Sequence, residues 1–176
     1  MKIKMIVAMD NQKFIGKNGQ LPWRLPIDMA RFRNLTIADG FNAVIMGRKT
    51  WDSLPEKYRP LPERLNIVMS RDTNWKDENA ECALYPGRAI EIAYANGCEE
   101  CWIIGGAQIY EMYQDRIDEI HLTKVHTSES GDISFPNLNW NDWDEKIIEK
   151  VPKDSANEYE TLSLIHISEP TRRRGI

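Results

Sequence analysis

Apolar and polar positions along the chain follow two periods, and the changes of period mark its elements. Residues 2–9 are nearly continuous in apolar character from Met5 on, which predicts a buried central strand. Short apolar runs recur at 41–46, 65–69 and 101–104, and each ends at a small residue: Gly47, Ser70 and Gly105. Between the first two runs, Leu25, Asp28, Met29, Phe32 and Leu35 recur at spacings of three and four, which predicts a helix over 27–37. Pro26 fits its first turn, where a missing N–H costs nothing. Residues 87–96 read as an amphipathic helix and 107–113 as a second, shorter one. Residues 119–126 alternate as a strand, and 143–151 and 158–165 read as closing antiparallel strands. Strands alternating with helices, then late strands without them, predict an α/β domain. Its sheet is mostly parallel with an antiparallel C-terminal edge.

The gaps carry their own signals. Residues 10–24 form a polar, glycine-punctuated loop of about fifteen residues, a length typical of lids and binding loops. Trp23 at its end suits either packing or contact with a planar ligand. Residues 54–62 are a proline-stiffened connection, 74–80 a polar loop, and 131–136 a turn. No repeat, low-complexity segment or linker interrupts the pattern.

Composition adds limits. With 176 residues, 41% of them hydrophobic and 28% charged, the chain fits one soluble globular domain with a sizeable core. A net charge of -4 argues against a nucleic-acid surface. No apolar run approaches membrane length, and the first residues are too short and too polar for a signal segment, so a cytoplasmic protein is expected. Three cysteines are too few for a disulfide framework. Cys98 and Cys101 have redox or zinc spacing but no second pair and no nearby His ligands. His121 and His126 show no metal-ligand pattern either, so no metal is expected.

Candidate chemistry gathers at a few points. Asp28 is the one carboxylate on an otherwise apolar helix face. Burial there would raise its pKa, whereas a surface position would only complement the helix dipole, and spacing alone does not choose between these. Gly47-Arg48-Lys49-Thr50, at the junction of a strand and a short helix, aims N–H groups, two cations and a hydroxyl at one point, as an anion site or as a solvated basic turn. Ser70-Arg71 ends a strand with a hydroxyl and a guanidinium, which suits a ribose phosphate and equally an ordinary loop start. Gly105-Gly106 permits close backbone approach by a ligand. It is not the G-x-G-x-x-G fingerprint, and no acidic residue follows at the dinucleotide-fold spacing.

Taken in order, these motifs resemble dihydrofolate reductases of the bacterial chromosomal type. The likeness spans Met5 to about Tyr159. Its most specific parts are Ile15-Gly16, Leu21-Pro22-Trp23, Leu25-Pro26-Ile27-Asp28, Val44-Ile45-Met46-Gly47-Arg48-Lys49-Thr50-Trp51, Arg59-Pro60-Leu61-Pro62 and Ile103-Ile104-Gly105-Gly106. The resemblance implies an eight-stranded sheet with helices on both faces. It also implies NADPH-dependent reduction of 7,8-dihydrofolate to 5,6,7,8-tetrahydrofolate, with hydride going to C6 and a proton to N5. Asp28 matches the family's ionisable active-site residue, which hydrogen-bonds the pterin N3 and 2-amino group, and Thr123 matches the hydroxyl that supports it. The proton is expected through a water admitted near Leu21, with Asp28 acting by electrostatics and orientation.

By the same resemblance Ile6, Ala8, Met29, Phe32, Leu61 and Ile104 line the pterin and benzoyl sites, and Arg64 pairs with the glutamate α-carboxylate of the substrate. Arg48, Lys49 and Thr50 hold cofactor phosphates, and Ser70 with Arg71 the 2′-phosphate. Ala8, Ile15, Gly16, Gly47, Gly105, Gly106, Ala107, Gln108, Ile109 and Tyr110 complete the cofactor site. Gly105-Gly106 matches the place of a non-proline cis peptide. Gln108 stands where some members have arginine, which shifts weight onto Arg71. Residues 10–24, with Trp23 and Leu21, form the lid, and Asp132 holds it from the neighbouring loop.

The end of the chain departs from the family pattern, so the domain is placed at 1–165 and residues 166–176 are read as a non-native or disordered tail. A monomer is expected. Two rivals remain: a reductase of a ribosylaminopyrimidine in riboflavin synthesis, and a non-catalytic folate- or nucleotide-binding module. Asp28 and Arg64 argue against the first, and retention of Asp28, Thr123 and the lid against the second.

Overall fold

The computed structural model describes residues 1–16, 23–128 and 131–168. Strand β1 (Lys2–Asp10) leads through β2 (Phe14–Gly16) to helix α1 (Pro26–Ile37), then β3 (Ala43–Gly47) and helix α2 (Arg48–Ser53). A single 3-10 turn at Glu56–Tyr58 precedes β4 (Leu65–Met69) and β5 (Glu81–Ala83). Helix α3 (Pro86–Ala95), β6 (Glu100–Gly105), helix α4 (Ala107–Tyr113), β7 (Glu119–Val125) and β8 (Ile133–Ser134) follow. After a second 3-10 turn at Trp140–Asp142, β9 (Trp143–Val151) and β10 (Thr161–Ser168) close the chain as a hairpin.

Eight of the strands form one sheet in the order β5-β4-β3-β6-β1-β7-β10-β9. The pairings from β5 to β7 are parallel, and β10 and β9 add antiparallel. Alternation along the strands sends side chains to two different layers. Met5, Val7 and Met9 of β1 join Ile45, Ile67 and Ile103 under α3 and α4, in an apolar core with Ala89, Ile92, Ala93 and Tyr113. The opposite face buries Val44, Met46, Val68 and Trp102 with Trp51 of α2, and Ile6, Leu35, Leu61 and Ile104 pack at its margin. Helices therefore cover both faces, as expected.

Several expectations change in detail. Residues 10–24 are not one loop, because β2 pairs with β8 inside them. Asp10 shapes the turn between, its Oδ1 accepting from the N–H groups of Gln12 (2.8 Å) and Phe14 (2.9 Å). Gly131 lets the two strands meet, since a Cβ there would lie 2.6 Å from that of Phe14. The three-residue β5 has too short a pattern to stand out from the polar loop before it.

The boundary at 165 also falls short. β10 runs on through Ser168, His166 is buried, and its Nε2 lies 3.0 Å from a carboxylate oxygen of Glu145 on β9. Alternation through His166 and Ile167 keeps the strand paired, so the domain extends at least to Ser168. Residues 169–176 lie outside the described residues, as do Leu21 and Pro22.

Candidate active site

Helix α1 buries less of its length than α3. Only Thr36 within it is fully buried, and Met29 and Ile27 remain 61% and 42% exposed. The face predicted for α1 closes only in part: Leu25 is buried and Leu35 packs against the cluster around Trp51 and Trp102, while Met29 stays open as one wall of a cleft against the sheet. Across from it lie Ile6 and Ala8 of β1, Ile104 of β6 and Thr123 of β7, with Ala8 and Thr123 neighbours in register. Trp23, at the entry to α1, and Phe32 are half-buried.

Asp28 sits in the first turn of α1, and the buried Thr123 hydroxyl donates to its Oδ1 at 2.6 Å. Burial pushes the Asp28 carboxyl above the ordinary carboxylate range, against the opposing pull of the Thr123 hydrogen bond and the nearby Arg31 charge. Asp28 is thus half-buried and turned toward Thr123. Its helix starts without a cap from its own sequence, since Leu25 offers no side-chain acceptor. Asn157, in the β9–β10 loop, accepts the Ile27 N–H through Oδ1 at 3.2 Å. Beside it Glu158 accepts the Arg24 N–H (3.0 Å) and donates its own N–H to the Arg24 carbonyl (3.2 Å).

The far end of the cleft is cationic. Arg64, 8% exposed, donates through Nη1 to Thr36 Oγ1 (3.0 Å) and through Nε to the Pro62 carbonyl (2.9 Å), and its guanidinium stands 6.0 Å from the Phe32 ring. Burial and the neighbouring Arg33 lower its pKa, and no carboxylate among the described residues is in salt-bridge reach. The adjacent Glu63 pairs with Arg33 instead. Asn66, a lone amide in an otherwise apolar strand, folds this segment. Its Oδ1 accepts the Leu61 N–H, and its Nδ2 donates to the carbonyls of Leu61 and Arg64. From Asp28 to Thr36 the helix rises about 12 Å. The cleft thus has a carboxylate at one end and a guanidinium about two turns away.

A second group of residues meets at the C-terminal ends of β4, β3 and β6, adjacent strands of the sheet. Gly47 ends β3, and Arg48, Lys49 and Thr50 open α2. Ser70 and Arg71 follow β4, and the Ser70 hydroxyl accepts the Asp72 N–H at 3.1 Å. Gly105 ends β6 at φ +122, a conformation denied to residues with a Cβ, and its bond to Gly106 is cis. A Cβ at Gly106 would meet only the Thr50 hydroxyl, at 3.7 Å, so the glycine pair forms a cradle beside it. Ala107 and Gln108 begin α4 there. Arg48 rests 5.7 Å from the Trp75 ring, with Asp52 at 3.7 Å and Asp72 at 3.8 Å. These cations, hydroxyls and open backbone fit a group bearing several phosphates.

Other candidates serve the frame. Ile109 is buried, and the Tyr110 hydroxyl donates to the carbonyls of Ile6 (2.8 Å) and Ile104 (3.0 Å), tying together the two strands that floor the cleft. Ile15 is half-buried and Gly16 buried in β2. Cys98 and Cys101 are buried thiols whose pKa values burial raises, Cys101 to about 12, which makes them inert. No group able to hold a metal occurs among the described residues. Nor is any described helix long and apolar enough to cross a membrane.

Sequence reasoning missed Thr36, Asn66, Asn157 and Glu158. A polar residue inside an apolar strand could have marked Asn66. The partners of the other three are set by tertiary structure, and nothing local announces them.

Known proteins bear on this arrangement. The family model described as dihydrofolate reductase matches residues 2–167. The chain is 38% identical over 174 residues to the dihydrofolate reductase of Staphylococcus haemolyticus, covering 98% of each. It is 35% identical over 173 residues to that of Bacillus subtilis, again covering 98% of each. Among solved structures, a dihydrofolate reductase from Enterococcus faecalis complexed with NADP(H) and RAB-propyl superposes with a TM-score of 0.80 at 29% identity, over 96% of both chains. By extent of match, conserved length and shared fold, the chain belongs to the dihydrofolate reductase family.

Proposed function

We propose that this protein reduces 7,8-dihydrofolate to tetrahydrofolate with NADPH. The observation that carries the reading is the cleft along α1, with a half-buried carboxylate bonded to Thr123 at one end and a buried guanidinium near the other. Such a cleft selects a ligand with hydrogen-bond donors at its head and an anion at its tail. Dihydrofolate has both: the N3 and 2-amino group of the pterin, and the glutamate α-carboxylate.

In this reading Asp28 accepts from the pterin N3 and 2-amino group, and Thr123 fixes the carboxylate for that task. The fixed negative charge favours protonation at N5, which the ring needs before C6 can accept hydride. Solvent delivers the proton to N5 near Leu21, while Trp23 and the lid limit water elsewhere. Ile6, Ala8, Met29, Phe32, Leu61 and Ile104 give the planar rings an apolar slot, and Arg64 takes the α-carboxylate. NADPH, when bound, supplies the hydride. Arg48, Lys49, Thr50, Ser70 and Arg71 would hold its phosphates, with the backbone at Gly47, Gly105 and Gly106 and the start of α4 beside them. We take a monomer as the working unit and place it in the cytoplasm.

The test follows NADPH oxidation by purified protein with and without dihydrofolate. Oxidation that depends on dihydrofolate and is much slower with NADH is expected. NADPH binding without turnover would instead indicate a binding module, and turnover only with a ribosylaminopyrimidine would indicate the rival reductase.

A further inference from the structure

Asp28 occupies the third helical position of α1, after Pro26 and Ile27. A carboxylate at that position ordinarily turns back to cap the free N–H groups of its own helix. Here it points to Thr123 instead. Pro26 has no N–H to satisfy, the Met29 N–H is taken by the Leu25 carbonyl at 3.0 Å, and the Ile27 N–H goes to Asn157. Asn157 is 3% exposed and is itself gripped by Asp154. Its Nδ2 lies 3.1 and 3.2 Å from the two carboxylate oxygens, and its N–H donates to Oδ1 at 2.6 Å. The Ala156 N–H donates to the same oxygen at 2.8 Å. The amide is therefore held with its oxygen toward α1 and its nitrogen toward Asp154.

We infer that Asn157 is a positioning residue for Asp28: by capping α1 from the β9–β10 loop, it frees the carboxylate from capping its own helix and leaves it turned to Thr123 and the substrate. This rests on the proposed role of Asp28. Without the Asn157 acceptor the Ile27 N–H is open, and Asp28 is the acidic residue next to it in the chain. Asp28 drawn back to its own helix end is withdrawn from Thr123 and held ionised. The other charges near this turn are Arg31 on α1, Glu158 on the Arg24 N–H, and Asp154 behind Asn157. An Ala at 157 leaves all three in place.

The test measures hydride-transfer rate against pH for wild type, Asn157→Ala, and the exchange pair Asp154→Asn with Asn157→Asp. The pair keeps an acceptor at 157 and a donor at 154. For Asn157→Ala we expect a rate about five- to tenfold lower at neutral pH, the effect of an ordinary cap expressed as misplacement. Its half-rate pH should move down, with NADPH affinity unchanged, and the exchange pair should recover both rate and midpoint. A rate loss with an unmoved midpoint, or an exchange pair no better than Ala, would overturn the inference and leave Asn157 a merely structural group. Asp28→Asn is run in parallel. If it too leaves the profile as in wild type, the reading of Asp28 is at fault; if it moves the profile and Asn157→Ala does not, this inference alone fails.

Discussion

The two faces of the sheet are built from the same strands and do opposite work. Under α3 and α4 the odd positions of β1 meet an apolar layer, with Met5, Ile45, Ile67 and Ile103 fully buried. Under α1 the even positions meet polar and charged groups. Lys4 bonds Glu100 and pairs with Glu119, the His121 Nε2 lies 3.0 Å from a Glu119 oxygen, and Thr123 holds Asp28. The first face packs densely and supplies stability. The second leaves Met29 and Ile27 open, holds a carboxyl away from its ordinary range, and keeps a guanidinium that pairs with no carboxylate among the described residues. The proposed substrate cleft lies on this second face, with the packed face behind it.

The sharpest way to separate the faces is Asp28→Asn. Turnover at pH 7 should fall by about two to four orders of magnitude, with the residual rate climbing as pH falls because solvent can then protonate the substrate. A flat profile near the wild-type rate would remove Asp28 from the mechanism. Stability should move the other way. Because burial raises the Asp28 pKa on folding, its contribution is present below the unfolded value and lost as pH rises through the folded one. Ionised Asp28 thus lowers stability at pH 7, and the Asn variant should melt at or above wild type there, with the gap closing in acid.

The opposite signature belongs to Ile45→Ala on the packed face. It should lower unfolding free energy by about 2–5 kcal/mol in denaturant titration. Michaelis constants and the pH profile should stay in place, and a shift in either would mean that the faces are coupled. Arg64→Lys tests the far end of the cleft. Lys cannot hold both Thr36 Oγ1 and the Pro62 carbonyl while facing a carboxylate, so KM for dihydrofolate should rise roughly ten- to a hundredfold. KM for NADPH should not change, nor should turnover of a dihydropterin lacking the glutamate. The smallest effect is expected from removing residues 169–176. Melting temperature and activity should match the full chain, and a clear loss of either would show that the segment supports β10.

Much of the packed face was legible in the sequence, because burial on both sides writes continuous apolar runs such as 43–46 and 101–104. Helix α1 was legible as a helix but not as a cleft wall. Spacing reports which residues share a face, not whether another layer closes over them, so only the family resemblance placed Met29 at a ligand site. Asp28 stood out as a carboxylate among apolar neighbours, and its tie to Thr123 followed only from the family resemblance. Arg64 was likewise placed by resemblance, while Thr36 and Asn66, which hold it and its segment in shape, went unnoticed. Asn157 lies 130 positions from Ile27, and no local pattern could join them.

That separation has a consequence for how the chain comes into being. Strands β1, β3, β4 and β6 are all synthesised before residue 106. The cap on α1 belongs to the last hairpin. A chain emerging from its N-terminus has therefore made most of the parallel sheet before the residue that caps α1 exists. Helix α1, early in the sequence, thus has its first turn completed only when the last hairpin arrives.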